Sequence, residues 1–521
     1  MAITNAIENF KMIVNKAFVA KAEALTPSLI ETLVKPICTV RILPNGPDFA
    51  ANEVESHFKV SGPMGRDDSI CLDFGDHHVG YVSFRLSPIG SPADAPVYLR
   101  LKFAEIPYEI AADSSQYNGE ISRAWIQEEL IHVDEVPSIV ELPRRYAFRY
   151  MQVTVIDTST KYKVVLSDVE CRAVSSADMS AVPPFNSSDP ELAQLDKVSL
   201  KTMQDCMQLV FEDGPKRDRR LWLGDLRLQA LTNYVTFQNN DLVKRCLYLF
   251  AGLTQNEGRV GACLFLEPTP QVDDTALFDY SLFFVSCLYD YYRATGDSDT
   301  LKELFPTAHR QIELAMLELD ERDIVTDKDT WWCFLDWGDG LNKQAGAQAI
   351  LIYALKQVRT MAWWLDDTAK AAEYEASIIN LTEASLTYLW DEDQGFFVSG
   401  SDRQISWASQ VWFVLANVFD QKKNACLLEH LIEVDPDTRM VTPYMYHYFI
   451  DALIQNDRPE LALHYMKAYW GEMIRNGADT FFELYDPKDR YASPYGSHLV
   501  NSFCHAWSGT PSYFIRKYFS Q

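Results

Sequence analysis

Two regions of the chain follow different patterns of apolar and polar positions. Between about residues 38 and 174, short segments rich in β-branched and aromatic residues alternate with turn-forming residues, which is typical of strands. Several such strands at roughly regular spacing predict an antiparallel β-sandwich over residues 38–174. Residues 1–37 are predicted to form a helical N-terminal extension. The predicted strands are ICTVRIL, ICLDF, YVSFRL, VYLRLKF, IVEL, YMQVTVI and YKVVLSDVECRAV.

The serine, proline and aspartate residues of 175–190 predict a linker, and beyond it, over 191–521, the pattern becomes helical. Short polar connections that can cap helices alternate there with longer, irregular ones. The segments number twelve, so the long connections would all emerge at one end of a closed ring, an (α/α)6 toroid. An open helical solenoid is the alternative, although solenoids usually show clearer repeats. The long connections are placed near residues 209–225, 253–277, 321–341, 390–405, 433–442 and 476–497.

Composition narrows the classes of partner. The 521 residues are 47% apolar, which indicates a globular protein, and the formal net charge of −26 leaves no basic stripe for a nucleic acid. The N-terminal sequence lacks the apolar stretch of a signal peptide or a membrane span. The ten cysteines are scattered singly, mostly within apolar runs, as reduced core residues are. We therefore expect a cytoplasmic protein without a nucleic-acid or membrane partner.

The first candidate catalytic residues lie in the first long connection, in the segment DGPKRDRRLWLGD at residues 213–225. Asp213, Asp218 and Asp225 alternate there with four bases, among them Arg217. Like-charged neighbours can raise the pKa of one carboxyl so that it acts as an acid, while arginines orient the others. A solvated loop with surface ion pairs is the alternative, but Leu221, Trp222 and Leu223 would anchor the segment to apolar surroundings.

A second carboxylate lies in the last long connection, in NGADTFFELYDP at residues 476–487. Glu483 is flanked by apolar and aromatic residues, where burying a carboxylate is costly unless it is paired or functional. A glutamate on a polar face beside core residues is the alternative. His498 and His505 follow near the final helix, and either alone is more often structural. Eleven of the twelve tryptophans follow the linker, several near long connections, and flat rings beside carboxylates suit sugar recognition.

The middle connections supply further aspartates that could bind sugar hydroxyls or cap helices. Capping is the commoner use of such side chains. No zinc-peptidase, phosphate-loop, nucleophile-elbow or dinucleotide motif occurs, so no metal or cofactor is expected. The aspartates are Asp273, Asp274, Asp279, Asp336 and Asp339.

Taken together, these segments resemble glycoside hydrolase family 78, the α-L-rhamnosidases, which are bacterial six-hairpin glycosidases. DGPKRDRRLWLGD is similar to the family signature DCPxRERLGxxGD, with Gly214 in place of its cysteine. FDYSLFF, FLDWGDGL, GADTFFELYDP and FCHAWSG resemble further family segments and occur in the same order. Upstream, LDFGDHHVGYVSFRL and RRYAFRYMQV look like the β-domain that precedes the catalytic ring, so the similarity covers most of residues 40–515.

The resemblance implies inverting hydrolysis of a terminal α-L-rhamnosyl linkage in a small rhamnoside or oligosaccharide. By position, Asp218 would protonate the leaving oxygen and Glu483 would activate water, with the two carboxyl groups roughly 6.5 to 9.5 Å apart. The family commonly has glutamate at the acid position, which leaves Asp213 as an alternative donor. The residues implied to hold the substrate are Asp213, Arg217, Trp222, Asp225, Asp279, Trp337 and His505.

Two other functions fit the same pattern. One is a different (α/α)6 glycosidase, such as an unsaturated uronyl hydrolase. The other is a non-catalytic carbohydrate-binding protein with a degenerate site. The sequence leaves the oligomeric state open.

Overall fold

Antiparallel strands fill the first third of the chain, and helices fill the rest. The computed structural model describes residues 10–46, 48–326, 331–338 and 340–520. Part of the predicted N-terminal extension, residues 1–9, and the candidate Asp339 lie outside this range. Within the extension, β1 (Ile13–Val14) and α1 (Lys16–Ala24) precede a strand, β2 (Ile30–Val34). Because β2 pairs with the strand at residues 171–175, the sheet begins before residue 38, where the sequence placed its boundary.

The β-domain contains nine strands in one hydrogen-bonded network, and all their pairings are antiparallel. Apolar side chains alternate along the long strands and enclose a core of their own. After β2, the elements are β3 (Cys38–Asn45), β4 (Asp48–Ser56), β5 (Ser69–Gly90), β6 (Val97–Ala104), α2 (Pro107–Ala111), β7 (Glu128–Val133), β8 (Ser138–Glu141), β9 (Tyr146–Asp157) and β10 (Tyr162–Ser175).

Strand β5 corrects one detail of the sequence prediction. ICLDF and YVSFRL are two predicted strands, but they form one strand with a register shift between Asp73 and His78. Gly75 lies in this irregular stretch with φ of +84°, a conformation that glycine adopts without the penalty of a Cβ atom. The first half of β5 pairs with β9 and the second half with β10, so one bent strand joins both parts of the domain.

Twelve α-helices follow Ser175 among the described residues, as the sequence predicts. Five short turns alternate with six longer connections, which hold the small strands β11 (Leu221–Trp222), β12 (Leu253–Thr254), β13 (Cys263–Phe265), β14 (Gln271–Val272), β15 (Trp390–Asp391) and β16 (Phe396–Phe397). The helices are α3 (Pro190–Cys206), α4 (Leu223–Val235), α5 (Asn240–Gly252), α6 (Phe278–Thr295), α7 (Ser298–Met316), α8 (Gln344–Trp364), α9 (Thr368–Tyr388), α10 (Trp407–Leu415), α11 (Gln421–Val434), α12 (Pro443–Gln455), α13 (Pro459–Arg475) and α14 (Pro511–Tyr518).

Side-chain caps explain why most of the short turns stay short. Asp297, Asp367 and Asp420 each accept a hydrogen bond from the third residue of the helix that follows, at 3.0, 3.0 and 2.8 Å. The turn before α5 uses the Asn239 side chain, while α13 begins without a side-chain cap. Each cap satisfies an otherwise unpaired amide and fixes where the outer helix begins.

The helices form a closed double ring rather than a solenoid. Helices α4, α6, α8, α10 and α12 pack in succession as the inner ring, and α14 closes it against α4 while also packing on α3. Every residue of α10 is buried, whereas its outer partner α11 keeps a solvent-exposed face. Arg516 of α14 pairs with Asp196 of α3 at 2.7 Å across the closure. None of the described helices is long and apolar enough to cross a bilayer.

Candidate active site

A pocket of about 750 Å³ opens where the long connections emerge. Four of those connections and the first turns of α4 and α6 line it, and the segment between α2 and β7 of the β-domain supplies one further wall. Buried residues form its floor: Asp213, Arg217, Asp225, Leu277, Tyr280, Phe334, Glu483, Tyr495, His505 and Trp507. Half-buried and exposed residues form its rim: Glu120, Ile121, Trp125, Asp218, Arg220, Trp222, Asp273, Asp274, Thr275, Trp332 and Trp337.

Three buried carboxyls, Asp213, Asp225 and Glu483, lie on the floor with His505. Asp213 Oδ1 accepts a hydrogen bond from the Arg220 amide at 3.0 Å, which closes the turn that carries the rest of the motif. Burial, with the charges of Asp218 and Asp225 nearby, raises the pKa of Asp213 well above its usual range. Asp225, in the first turn of α4, lies 3.0 Å from His505 Nε2. Burial also raises the pKa of Asp225, although His505 opposes this shift.

Arg217 connects the two carboxylates that the sequence assigns to catalysis. Its Nη2 donates to Glu483 Oε2, its Nη1 lies 3.3 Å from Asp218 Oδ1, and its Nε donates to the Val500 carbonyl at 2.7 Å. Tyr495 donates its hydroxyl to the other oxygen of Glu483 at 2.5 Å. Burial alone would raise the pKa of Glu483, but Arg217, His505 and Tyr495 outweigh it and lower that pKa. Glu483 is therefore held ionised.

Asp218 lies on the rim, and its side chain keeps 22% of its exposure. Its φ of +60° and that of Arg219, +54°, are both in the left-handed region. Aspartate tolerates this region better than most residues with a Cβ atom. The two consecutive left-handed residues turn the chain between buried Arg217 and half-buried Arg220, and the Asp218 side chain lines the pocket.

Aromatic rings surround the acids. Trp507 donates its indole N–H to the Glu483 carbonyl at 2.9 Å and stacks on Phe334 at a centroid distance of 5.7 Å. Trp337 meets Tyr495 edge to face at 5.9 Å. Among the described residues, three buried polar atoms of the pocket lining have no hydrogen-bond partner, and they can bind ligand hydroxyls. They are Trp222 Nε1, Trp337 Nε1 and His505 Nδ1.

The structure brings eight of the nine candidate site residues to this one pocket. Asp279 is the exception and corrects the sequence interpretation. Both of its oxygens accept backbone N–H groups, from Phe334 at 3.0 Å and Leu335 at 2.9 Å, so it shapes the loop behind the floor. The eight candidate residues that line the pocket are Asp213, Arg217, Asp218, Trp222, Asp225, Trp337, Glu483 and His505.

The other candidate aspartates divide in the same way. Asp273 and Asp274 lie on the rim. Asp336 is buried away from the pocket, where it accepts hydrogen bonds from Val441 and Thr442, and burial raises its pKa to about 6. It therefore ties the connection after α7 to the segment before α12, whose own N-terminal cap is Thr442.

Several residues that line the pocket were missed from the sequence. Tyr495 gave no signal, because only the fold brings its hydroxyl to Glu483. The β-domain wall was also missed, although its Trp125 is the single tryptophan before the linker, an outlier that could have been noticed. Gly214 stands where the family signature has cysteine, and the sequence gives no sign that its size matters. In the structure a Cβ atom at this position would lie 2.6 Å from Ser502 Oγ, so the site has no room for a side chain.

Charge and polarity define the ligands that the pocket could accept. The described lining contains seven carboxyl groups and two arginines. A neutral or cationic ligand therefore suits it better than an anion.

One group of described side chains outside the pocket has the geometry to hold a metal ion. It consists of His77, Asp205 and Cys504. Both ring nitrogens of His77 already contact carboxylates, Asp205 at 2.7 Å and Glu105 at 3.1 Å, and Lys201 pairs with Asp205. This is the arrangement of an ion-pair network rather than of a metal centre.

Known proteins share this architecture. Residues 50–173 match the N-terminal domain of glycosyl hydrolase family 78 α-rhamnosidases, and residues 181–519 match the bacterial α-L-rhamnosidase six-hairpin glycosidase domain. A rhamnosidase from Klebsiella oxytoca, solved with rhamnose bound, is 45% identical, with 98% of this chain and 99% of that one covered and a TM-score of 0.95.

More distant relatives support the fold alone. A family 78 rhamnosidase of Bacillus sp. GL1 is 22% identical, with a TM-score of 0.73. The superposition covers 92% of this chain and 47% of that one. An N,N'-diacetylchitobiose phosphorylase of Vibrio furnissii is 26% identical over 150 residues, which are 26% of this chain and 19% of that protein. The chain thus spans about half the length of the Bacillus enzyme and a smaller part of the phosphorylase. The two domain matches, the pocket where the ring's long connections meet and the near-complete overlap with the Klebsiella enzyme show that this chain belongs to the α-L-rhamnosidases of glycoside hydrolase family 78.

Proposed function

We propose that this rhamnosidase removes a terminal α-L-rhamnosyl residue from a small rhamnoside or oligosaccharide, with inversion at the anomeric carbon. The observation that carries the proposal is the Arg217 guanidinium, whose two terminal nitrogens contact Asp218 and Glu483 separately. Two carboxylates on one pocket, one at the rim and one on the floor, fit an acid and a water-activating base on opposite sides of a sugar ring.

Glu483 is suited to the role of base. Arg217 and the Tyr495 hydroxyl stabilise its charged form, so it is ionised and ready to accept a proton from water. Its backbone is fixed on both sides, because its amide donates to the Ser502 carbonyl and its carbonyl accepts the Trp507 indole. A fixed base reduces the entropic cost of positioning the attacking water.

Two aspartates compete for the role of acid. Asp218 is favoured by position, since it lies on the rim with its side chain partly exposed to solvent, where a leaving group can depart. Asp213 is favoured by its raised pKa, because burial and the nearby charges of Asp218 and Asp225 stabilise its protonated form. We assign the proton transfer to Asp218, and Asp213 then forms a hydrogen bond with a hydroxyl of the bound sugar.

The charge of the pocket favours a neutral sugar over a uronate. A carboxylated sugar needs a cation that is free to pair with it. Arg217 already contacts Glu483, and Arg220 lies 3.7 Å from Asp273. Rhamnose is uncharged. Its hydroxyls can form hydrogen bonds with the floor carboxyls, while its apolar face packs on the aromatic rings of the pocket lining, such as Trp337 and Trp507. An unsaturated uronyl hydrolase fits this pocket less well.

Leaving groups of different basicity test the assignment. We expect Asp218→Asn to lower kcat/KM by roughly 10²–10⁴-fold on an alkyl rhamnoside, but far less on 2,4-dinitrophenyl α-L-rhamnoside, whose leaving group needs no proton. Glu483→Gln should reduce turnover of both substrates by orders of magnitude. Asp213→Asn should also reduce both, by similar factors. If its loss depended on the leaving group instead, Asp213 would be the donor.

Asp366→Asn is a matched control, because Asp366 is exposed, has φ of +59° and lies in a short turn away from the pocket. Its kinetics should equal those of the wild type. Turnover of α-L-rhamnosides unaffected by Asp218→Asn and Glu483→Gln would remove the two-carboxylate proposal, and so would a wild-type enzyme inactive on every rhamnoside.

Stereochemistry is a separate test. Proton NMR during the first minutes of hydrolysis should show β-L-rhamnose before mutarotation mixes the anomers. Initial release of the α anomer would contradict inversion. All ten cysteines are free thiols and nine are buried; Cys206 and Cys504, with sulfurs 3.9 Å apart, share a weak hydrogen bond and no disulfide. These thiols support a cytoplasmic location, which we propose as well.

A further inference from the structure

The pocket lining has a buried floor and a partly exposed rim, and this difference indicates where each half of a glycoside lies. The floor holds the buried polar groups, Asp213, Asp225 and His505, which suit the hydroxyls of a terminal sugar. The rim holds Asp218, the assigned proton donor. Whatever group leaves with that proton must therefore lie against the rim.

One side of the rim comes from the β-domain, from the segment that joins α2 to β7. Its backbone is fixed next to the catalytic groups, because the Glu120 amide donates to the Tyr495 carbonyl at 2.8 Å, and Tyr495 in turn contacts Glu483. The Tyr117 hydroxyl donates to the Ile121 carbonyl at 2.7 Å and braces the same segment from behind. The wall is thus attached to the site rather than loosely covering it.

Trp125 and Ile121 give this wall its chemical character. Trp125 ends a short 3-10 turn whose first residues are held by the Ser122 side chain. It is half-buried and lines the pocket, and its ring makes no aromatic pair within the described part of the chain. An indole that is not used for packing, beside an aliphatic side chain, offers a flat apolar surface.

Acidic side chains define the rest of the rim. Glu120, Asp218, Asp273 and Asp274 outnumber the two arginines of the pocket lining. Arg217 contacts Asp218, and Arg220, stacked on Phe265 with its charge 4.0 Å from the ring centroid, lies near Asp273. A negatively charged leaving group would be repelled by this excess of acidic groups. The rim therefore favours a neutral group.

We propose that Ile121 and Trp125 of the β-domain form a leaving-group subsite for an uncharged group with a flat face, either an aromatic ring or a pyranose. The subsite rests on the proposed rhamnosidase function and adds a specificity role for the β-domain. The indole packs against the flat face of the leaving group while the rhamnosyl unit occupies the floor.

Selectivity between leaving groups tests the subsite. Three substrates are compared: 4-methylumbelliferyl α-L-rhamnoside, a rhamnosyl-glucose disaccharide and methyl α-L-rhamnoside, which has almost no leaving-group surface. In Trp125→Ala, the ratio of kcat/KM for each flat-faced substrate to that for the methyl glycoside should fall about tenfold. A fall confined to the umbelliferyl substrate identifies an aromatic subsite, and a fall confined to the disaccharide identifies a sugar subsite.

Matched variants make the result specific. Trp125→Phe keeps a flat ring and should recover most of the ratio. Trp363→Ala removes a half-exposed tryptophan of α8 that does not line the pocket, and it should leave the ratio at the wild-type value. Glu120→Gln should raise the rate on 4-carboxyphenyl α-L-rhamnoside relative to the 4-nitrophenyl substrate.

The outcomes separate the two proposals. If the wild type cleaves all three substrates and Trp125→Ala changes neither ratio by more than twofold, the subsite is wrong and the rhamnosidase function stands. The subsite is also wrong if Trp363→Ala lowers the ratios as much as Trp125→Ala does. If the wild type cleaves no rhamnoside, the proposed function itself fails.

Discussion

Arg217 sets the charge state on which the proposed chemistry depends. It is 2% exposed and makes hydrogen bonds to Glu483 and Val500, with the Tyr495 ring 4.4 Å from its charged carbon. A buried cation of this kind favours the ionised form of a neighbouring carboxyl, because the alternative is an unpaired charge in a medium of low polarity. The residue thus acts through the base rather than on the sugar.

Removing this charge should move the acid limb of the activity profile. Glu483, the proposed base, can accept a proton only when ionised, so activity should be lost as pH falls through the pKa of Glu483, which Arg217 lowers. In Arg217→Met the pKa rises, and the acid limb of kcat/KM moves to higher pH, while kcat/KM at neutral pH falls by roughly 100-fold. Arg217→Lys, which keeps the charge, should shift the limb less. An unmoved limb in Arg217→Met would contradict this role.

At the scale of elements, three chain segments from opposite ends of the helical domain form the floor together. The Glu483 amide donates to the Ser502 carbonyl, the His505 amide to Phe481, and the Ala506 amide to Asp213 at 2.7 Å. Gly214 lies where they meet. A Cβ atom there would lie 2.6 Å from Ser502 Oγ and 3.3 Å from two backbone carbonyl oxygens, so the segments can approach only because this residue has no side chain.

Gly214→Ala should therefore reduce kcat by about tenfold or more, because it displaces Ser502 and with it the backbone partner of Glu483. The double variant Gly214→Ala/Ser502→Ala removes the hydroxyl that the new methyl group meets, and it should recover part of the loss. Gly62→Ala is the control, since nothing lies within 4 Å of a Cβ there. The kcat of each variant is measured by steady-state kinetics. A Gly214→Ala variant with the kcat of the wild type would refute the steric argument.

At the scale of the whole molecule, a buried charged network joins the two domains behind the floor. His77 of β5 contacts Asp205 of α3 at 2.7 Å and Glu105 at 3.1 Å, and Lys216, next to Arg217, pairs with Glu109. Burial alone would lower the pKa of His77, but Cys504, Asp205 and Glu105 outweigh it and raise that pKa well above its usual range. Burial keeps Cys504 a thiol, so the two carboxylates are the physical cause.

Replacing His77 should destabilise the protein strongly and in a pH-dependent way. His77→Gln removes the cation between two buried carboxyls. Asp205 keeps Lys201 at 2.8 Å and Glu105 keeps Lys216 at 3.7 Å, so the cost should be about 3 kcal/mol, the lower end for breaking a buried ion pair. Because the folded-state pKa of His77 is raised, its contribution is complete below pH 6.5 and is lost as pH rises through that pKa. Urea unfolding of both proteins at several pH values should show the gap narrowing above pH 6.5. A gap that is constant or widens there would contradict a protonated His77.

The sequence predicted most of the ring and of the floor, since both depend on local chemistry. Capping residues such as Asp297 mark the short turns, and the dense motif from Asp213 to Asp225 marks the first catalytic segment. Asp279 was misjudged because its partners, the amides of Phe334 and Leu335, lie 55 and 56 residues along the chain. Trp125 was missed because its place in the pocket depends on how two domains pack, for which the chain has no local signal.

The short turns at the far end of the ring have a practical consequence. The described pocket lining takes no residue from the turns after α4, α6, α8, α10 or α12. The exposed stretch around Asp366, between α8 and α9, is therefore a natural point for inserting an affinity peptide or a surface-attachment handle. An enzyme immobilised through that stretch would present its open mouth to the surrounding solution, with the substrate's route of entry pointing away from the support.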